Sequence, residues 1–138
     1  MRLFNVKIFR LNNLIQNELY PLRESLGLSR GQPKVLRYVL EHDSCSQSDV
    51  ADAYDITPAT VSKLIDGLIE RDMIKKVEGK DRRTFALSLT AYGKEVYECW
   101  QAGLDGLKDR LTSGFSDEEV EIFSDLLDRA IDNMRKKS

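Results

Sequence analysis

Apolar residues recur at three- and four-residue spacings along most of the chain, which is the pattern of amphipathic α-helices. Residues 3–26 carry the first such stripe. Proline has no backbone N–H, so Pro21 is expected to kink this helix or to break it in two. Gly27 is expected to end it. The apolar positions of the stripe are Phe4, Ile8, Leu11, Ile15, Leu19 and Leu22.

Two shorter helices are predicted to follow. Ser29 and Gln32 have the spacing of a capping box, which predicts a second helix that opens there and runs to about Glu41. Its inward side is formed by Val35, Leu36 and Val39. Ser46 is the expected N-cap of a third helix over residues 47–54.

A fourth helix is predicted to begin after a three-residue turn at 55–57. Thr57 followed by Pro58 combines an N-cap residue with a proline in the first turn, which is a strong start signal. The helix is expected to run to about Asp72. Its apolar stripe consists of Val61, Leu64, Ile65, Leu68 and Ile69.

The periodicity then changes from that of a helix to that of strands. Segments 73–77 and 84–89 are short and relatively rich in Ile, Val and Phe, and in the second of them apolar and small residues alternate. This pattern predicts a β-hairpin whose tip is formed by residues 78–83. In the second segment, Phe85, Leu87 and Leu89 alternate with Thr84, Ala86 and Ser88.

Two more helices complete the prediction. Thr90 is expected to cap a long helix that ends near Gly114, and Ser116 with Glu119 forms a second capping box that opens the last helix. The apolar positions of the last helix are Val120, Phe123, Leu127, Ala130, Ile131 and Met134.

Composition excludes several classes of protein. The 138 residues, 41% hydrophobic and 32% charged, suit one globular domain. No apolar run approaches the roughly 20 residues that span a bilayer and no secretory signal opens the chain, so we expect a cytoplasmic protein. One histidine and two scattered cysteines predict no metal site and no disulfide framework. Without a phosphate-binding glycine loop or a nucleophile motif, neither an enzyme nor a cofactor is expected.

The two cysteines allow a redox and a structural interpretation. A helix start lowers the pKa of a nearby thiol, which is one interpretation of Cys45 beside Ser46. A structural role is the favoured one. Cys99 lies beside Trp100 and is expected to pack.

The overall net charge of −2 hides an uneven distribution. Residues 57–94 carry eight basic against five acidic side chains, whereas residues 95–138 carry six against eleven. The middle of the chain is therefore basic and the C-terminal part acidic. This asymmetry favours a basic working surface at the fourth helix and the hairpin.

The order helix, turn, helix and basic hairpin is that of a winged helix-turn-helix. The second helix of such a motif enters the DNA major groove with its N-terminus first. Candidate contacts at this end are small, hydroxylated or cationic: Pro58, Ala59, Thr60, Ser62 and Lys63. Ser46 and Gln47 open the supporting helix, where backbone amides are suited to phosphate.

The predicted hairpin tip adds a second candidate contact. Lys80, Arg82 and Arg83 lie on it, and an inserted arginine suits the negative potential of a minor groove. Asp81 is expected to hold an arginine in place through a charge-assisted hydrogen bond. The alternative for each of these segments is an ordinary solvated helix end or turn.

These residues together resemble the MarR family of bacterial transcription regulators. The resemblance rests on segments 46–51 and 57–64, on the Asp81-Arg82-Arg83 triplet and on Leu89-Thr90-x-x-Gly93. It implies that Arg83 enters the minor groove and that residues 59–63 read bases. One departure is Asp72, which stands where the family usually has glycine.

The resulting hypothesis is a mainly α (α+β) fold, a winged helix-turn-helix with long terminal dimerisation helices. Residues 1–138 would form one MarR-like domain, with residues 28–93 as the DNA-binding part and residues 1–27 and 94–138 as dimerisation helices. The family resemblance implies a homodimer that binds a pseudo-palindromic operator in double-stranded DNA and regulates transcription. A repressor is expected, with an activator as the alternative. It also implies a small-molecule effector, often anionic or phenolic, which no residue identifies. The alternatives are a winged helix used for protein–protein contact and a DNA binder without an effector.

Overall fold

The computed structural model describes residues 3–78 and 85–136 and is mainly helical. Two compact units are formed by residues 1–104 and 105–138. Among the described residues, no helix combines the length and apolar content needed to cross a bilayer. The elements are α1 (Phe4–Ser25), α2 (Gln32–Glu41), α3 (Gln47–Tyr54), α4 (Pro58–Glu70), β1 (Ile74–Glu78), β2 (Phe85–Leu89), α5 (Ala91–Leu111) and α6 (Asp117–Arg135).

The first helix runs without interruption through its proline. Pro21 lies within α1, so a break into two helices is the wrong alternative. The ring removes one backbone hydrogen bond, and the helix continues for four more residues to Ser25. Gly27 follows with φ of 71°, a left-handed conformation that ends the helix as predicted.

The second helix begins two residues later than its predicted capping box implies. The N-cap is Gly31, and no side chain caps it. Only one half of the box forms, in which the Gln32 side-chain oxygen accepts a hydrogen bond of 2.8 Å from the Ser29 N–H. The Ser29 carbonyl instead accepts the Gln32 N–H within a turn, and Pro33 fixes the first helical turn. The predicted inward residues Val35, Leu36 and Val39 are buried.

The core of the first unit lies where α2, α3 and α4 pack against the hairpin. Val50 of α3 and Val61, Ile65 and Leu68 of α4 are all 0% exposed. The turn between α3 and α4 uses Asp55 in the left-handed conformation, with φ of 54°. The helix-turn-helix is thus held together by the apolar stripe that its sequence predicts.

The two strands form an antiparallel pair, with Ile74 opposite Leu89 and Glu78 opposite Phe85. Leu87 and Leu89 are buried, but Phe85 is 56% exposed because it lies at the far end of the pair, away from the core. The hairpin therefore anchors to the core at its base.

A tight junction joins the base of the hairpin to α5. The Thr90 hydroxyl accepts the Gly93 N–H at 2.9 Å, which confirms the predicted cap, and donates to the Asp72 carbonyl at 2.6 Å. A Cβ atom on Gly93 would overlap the backbone carbonyl of Met73. Asp72, at the position where the family usually has glycine, adopts a left-handed φ of 60°. The threonine and the glycine of the Leu-Thr-x-x-Gly motif are therefore needed for the packing of α5 against the base of the hairpin.

The second unit contains α6, which opens with the predicted capping box. The Ser116 hydroxyl accepts the Glu119 N–H at 3.1 Å, and the Glu119 carboxylate accepts the Ser116 N–H at 2.9 Å. No residue of α6 is buried. Its exposed large apolar residues are Ile122, Phe123, Leu126, Leu127, Ile131 and Met134.

Candidate nucleic-acid interface

The N-terminus of α4 has few free backbone donors. Thr57 is the N-cap, and its hydroxyl oxygen accepts the Thr60 N–H at 3.2 Å. Pro58 has no N–H to offer. In the first turn, Ala59 alone keeps a backbone N–H that Thr57 does not cap. Side chains must therefore make most of the contacts at this end.

Those side chains are accessible. Pro58, Ala59, Thr60 and Lys63 are exposed, and Ser62 is half-buried. The structure thus places the sequence-predicted residues of α4 together on one accessible helix end.

The accessible face of α4 changes character after its second turn. Asp66 and Glu70 are exposed and follow Lys63 at spacings of three and seven residues, which puts them on the same side of the helix. Carboxylates repel phosphate, so only the first two turns of α4 suit a nucleic acid. An approach with the N-terminus first is the one that this charge pattern allows.

The N-terminus of α3 is closed by its own capping box. The Ser46 hydroxyl accepts the Asp49 N–H at 3.1 Å, and the Asp49 carboxylate accepts the Ser46 N–H at 3.0 Å. The hydrogen bond from the Ser46 N–H lowers the pKa of the Asp49 carboxyl most strongly, and hydrogen bonding with the Ser46 hydroxyl lowers it further. Ser46 and Gln47 are half-buried, whereas Ser48 is exposed. Ser46 therefore serves as a cap, and a phosphate here would meet the amides of Gln47 and Ser48.

A contact that the sequence did not reveal fixes α4 against α2. The buried side chain of Gln32 donates to the Leu64 carbonyl at 3.2 Å. A Cβ atom on Gly67 would lie 2.7 Å from the same amide nitrogen, so the glycine makes room for it. The Arg71 guanidinium also donates to the carbonyl of Gly27, beyond the end of α1. These long-range bonds have no local sequence signal.

The predicted tip of the wing lies outside the described residues. This applies to Lys80, Asp81, Arg82 and Arg83. On the described part of the hairpin, Lys75 and Lys76 are exposed cations that sequence reasoning missed. The Lys76 ammonium lies 5.5 Å from the centre of the Phe85 ring, which is a cation–π distance.

Cys45 follows the favoured structural interpretation, whereas Cys99 does not pack as expected. Burial, together with the nearby Asp49 carboxylate, raises the pKa of Cys45 to about 11, so the interpretation of a lowered pKa is wrong. Desolvation outweighs the helix start because the side chain is only 7% exposed. Cys99 is exposed in this chain, whereas Trp100 beside it is buried.

A cavity of about 180 Å³ lies within residues 1–104. Four cationic side chains and no acidic one contribute to its wall, together with three aromatic rings. Lys34 lies 5.7 Å from the centre of the Tyr54 ring. The lining consists of Gln16, Leu19, Arg23, Arg30, Pro33, Lys34, Arg37, Tyr54, Tyr97, Trp100 and Leu104. Such a wall favours an anion that also carries an apolar ring.

Comparisons with known proteins agree with this architecture. Residues 26–84 match a model of the MarR family. The chain is 31% identical over 107 residues to the HTH-type transcriptional repressor MdtR of Bacillus subtilis, an alignment that covers 77% of this chain and 69% of MdtR.

Solved structures share the fold. The Staphylococcus aureus MepR–DNA complex superposes with a TM-score of 0.85 at 21% identity and covers 96% of both chains. Staphylococcus aureus MarR in complex with salicylate and kanamycin gives a TM-score of 0.85 at 20% identity, over 99% of this chain and 93% of that one. With the family model and MdtR, these findings show that the chain belongs to the MarR family of transcriptional regulators.

Proposed function

We propose that the protein is a homodimeric repressor that binds a pseudo-palindromic site in double-stranded DNA and releases it when a small aromatic anion binds. Residues 28–93 read the DNA in this proposal, and residues 1–27 and 94–138 hold the dimer. Its proposed place of action is the cytoplasm, because the family regulates transcription. The observation that carries the proposal is the exposed, cap-ordered N-terminus of α4 on a helix whose other side is buried.

DNA binding is supported by the distribution of charge on α4. Small, hydroxylated and cationic side chains occupy its first two turns, and acidic ones follow. The similar fold of MepR, whose structure is a DNA complex, supports DNA as the partner. MdtR is named a repressor, which supports the direction of regulation proposed here.

A second copy of the chain is supported by two unpartnered apolar faces. Most of the large apolar side chains of the first three turns of α1 are exposed, including Phe4, Ile8 and Phe9. The whole apolar stripe of α6 is also accessible, with Leu127 at 51% exposure. A soluble monomer rarely exposes apolar patches of this extent. Mutual burial of these faces in a homodimer removes them from water.

An effector is supported by the cationic cavity. Its volume of about 180 Å³ compares with the roughly 150 Å³ of a cavity known to hold benzene, so one substituted ring fits. Arginine and lysine side chains around the ring select a carboxylate or phenolate. Salicylate, present in the Staphylococcus aureus MarR complex, is a molecule of this class.

Salt titration tests the DNA-binding part of the proposal. Affinity for duplex DNA should fall steeply as salt rises, because phosphate contacts release counterions. Lys63→Ala should weaken binding to a preferred duplex, while the matched control Lys136→Ala, at an exposed position after α6 and away from its apolar stripe, should not. Binding that ignores salt, or the absence of any duplex binding, contradicts the proposal and favours a protein–protein module.

Trp100 fluorescence tests the effector. It is the only tryptophan of the chain and lines the cavity. Benzoate should change its emission at lower concentration than benzamide, which has a similar size but no charge. Replacing Arg30 and Lys34 by glutamine should remove this difference, whereas Lys7→Gln should keep it. Equal responses to benzoate and benzamide in the unaltered protein would contradict an anion site.

A further inference from the structure

The N-cap of α4 does more than begin the helix, because it also holds the side chain of Thr60. The Thr57 hydroxyl oxygen accepts the Thr60 N–H at 3.2 Å, and the same hydroxyl donates to the Thr60 Oγ1 at 2.9 Å. Both residues are exposed, so neither contact is imposed by burial. A threonine that caps needs only the first of these bonds. The second bond restrains the side chain of Thr60, which is predicted to contact a base.

The direction of the hydroxyl–hydroxyl bond decides what Thr60 can offer to DNA. A hydroxyl has one proton and two acceptor sites. When Thr57 is the donor, its oxygen serves the amide and its proton serves Thr60, so one Thr60 lone pair is occupied and the Thr60 proton is left to point outward. An outward proton suits the acceptor atoms of a base edge in the major groove, which are N7 and O6 of guanine, N7 of adenine and O4 of thymine.

We propose that Thr57 is a positioning residue for base recognition, which sets Thr60 as a hydrogen-bond donor toward one base of the site. This inference rests on the proposed function, since it requires α4 to enter the major groove. It goes further by assigning sequence preference to a residue that need not touch the DNA.

Two substitutions at residue 57 separate positioning from capping. Thr57→Ser keeps both the cap and the hydroxyl proton. Thr57→Asp keeps the cap, since aspartate is as good an N-cap as serine, but has no proton to donate. The Thr60 hydroxyl would then donate to the carboxylate of residue 57 and turn an acceptor toward the DNA. The added charge weakens binding to all sequences alike, so the ratio between sequences isolates the positioning effect.

The experiment selects a preferred duplex from a random library with the unaltered protein and then measures binding to every single base-pair change. Thr60→Val should flatten the preference at one position of each half-site. Thr57→Asp should lower the preference at that same position by roughly fivefold, which is the value of one hydrogen bond. Thr57→Ser should stay within about twofold of the unaltered protein. Thermal unfolding of each variant verifies that the cap is retained.

A double variant completes the test. In a Thr60→Val background, Thr57→Asp should change no further base preference, since the group that it positions is gone. The inference is overturned if Thr57→Asp leaves the preference intact, if it acts equally in the Thr60→Val background, or if Thr60→Val affects no single position. In those cases duplex binding itself still supports the proposed function. A protein that selects no duplex overturns both.

Discussion

The junction between α5 and the base of the hairpin leads to a strong prediction about Gly93. A Cβ atom at this position would overlap the carbonyl oxygen of Met73, and the Cα of Met73 would lie 3.2 Å away. The obstacle is backbone, and Met73 is only 1% exposed, so no flexible side chain can move aside. Gly93→Ala should therefore destabilise the fold.

The magnitude follows from two ways in which the structure can respond. If the junction holds, the added methyl group overpacks a filled core, which costs about 1–3 kcal/mol. If α5 shifts, it loses the bond from the Thr90 N–H to the Met73 carbonyl, 3.1 Å, and the bond from the Gly93 N–H to the Thr90 hydroxyl, at about 1 kcal/mol each. The higher helix propensity of alanine offsets up to about 1 kcal/mol of this destabilisation. After this offset, the net loss in either response should be roughly 1 kcal/mol.

The same helix offers a matched control. A Cβ atom on Gly106 would meet nothing within 4 Å, so Gly106→Ala should stabilise α5 by up to about 1 kcal/mol. Urea unfolding of both variants, at one protein concentration because a dimer is proposed, measures the difference. Changes of opposite sign are expected. A Gly93→Ala variant as stable as the Gly106→Ala variant would refute the close approach.

Three further predictions concern the backbone, a thiol and the dimer. Asp72→Gly should raise the midpoint of thermal unfolding, because glycine relieves a φ of 60° that costs other residues about 1 kcal/mol; no gain would contradict strain there. Ellman's reagent at pH 8 should modify Cys99 well before Cys45. The free energy of unfolding that the protonated Cys45 provides below pH 9 should be lost as the pH rises from about 9 to about 11, and the Cys45→Ala variant should not show this loss. First reaction at Cys45 would contradict its burial. Leu127→Asp should weaken self-association at least tenfold in sedimentation. Asp132→Asn, which changes the charge by one unit on the opposite, polar side of α6, should not; equal effects would remove α6 from the interface.

Local signals in the sequence predicted most of the elements. Ser116 forms the expected capping box, and Ser46 and Thr57 cap α3 and α4 as expected, because these contacts join residues only three apart. Ser29 failed as a cap although its spacing to Gln32 is the same. The Gln32 side chain still accepts the Ser29 N–H, but its amide nitrogen also donates to the Leu64 carbonyl, 32 residues away, and that contact has no local pattern.

The candidate site was predicted only in part, because only its local features have a signal in the sequence. The accessible end of α4 follows from one helix and its stripe, so Ala59, Thr60 and Lys63 were found. The cavity could not be found, because its wall is assembled from four separate stretches of chain. The pKa of Cys45 was misjudged because burial, which dominates it, is a property of the packed core and not of the neighbouring residue. The left-handed φ of Asp72 is a conformation that glycine adopts readily, which agrees with the glycine that the family usually has there.

The central claim is that two copies of α4 read successive major grooves of one duplex. Selection of bound fragments from the source genome tests it most directly. The account predicts an enriched inverted repeat whose half-site centres lie about 10 base pairs apart, one turn of the double helix. Enrichment of a single half-site without symmetry, or of no sequence at all, would contradict it.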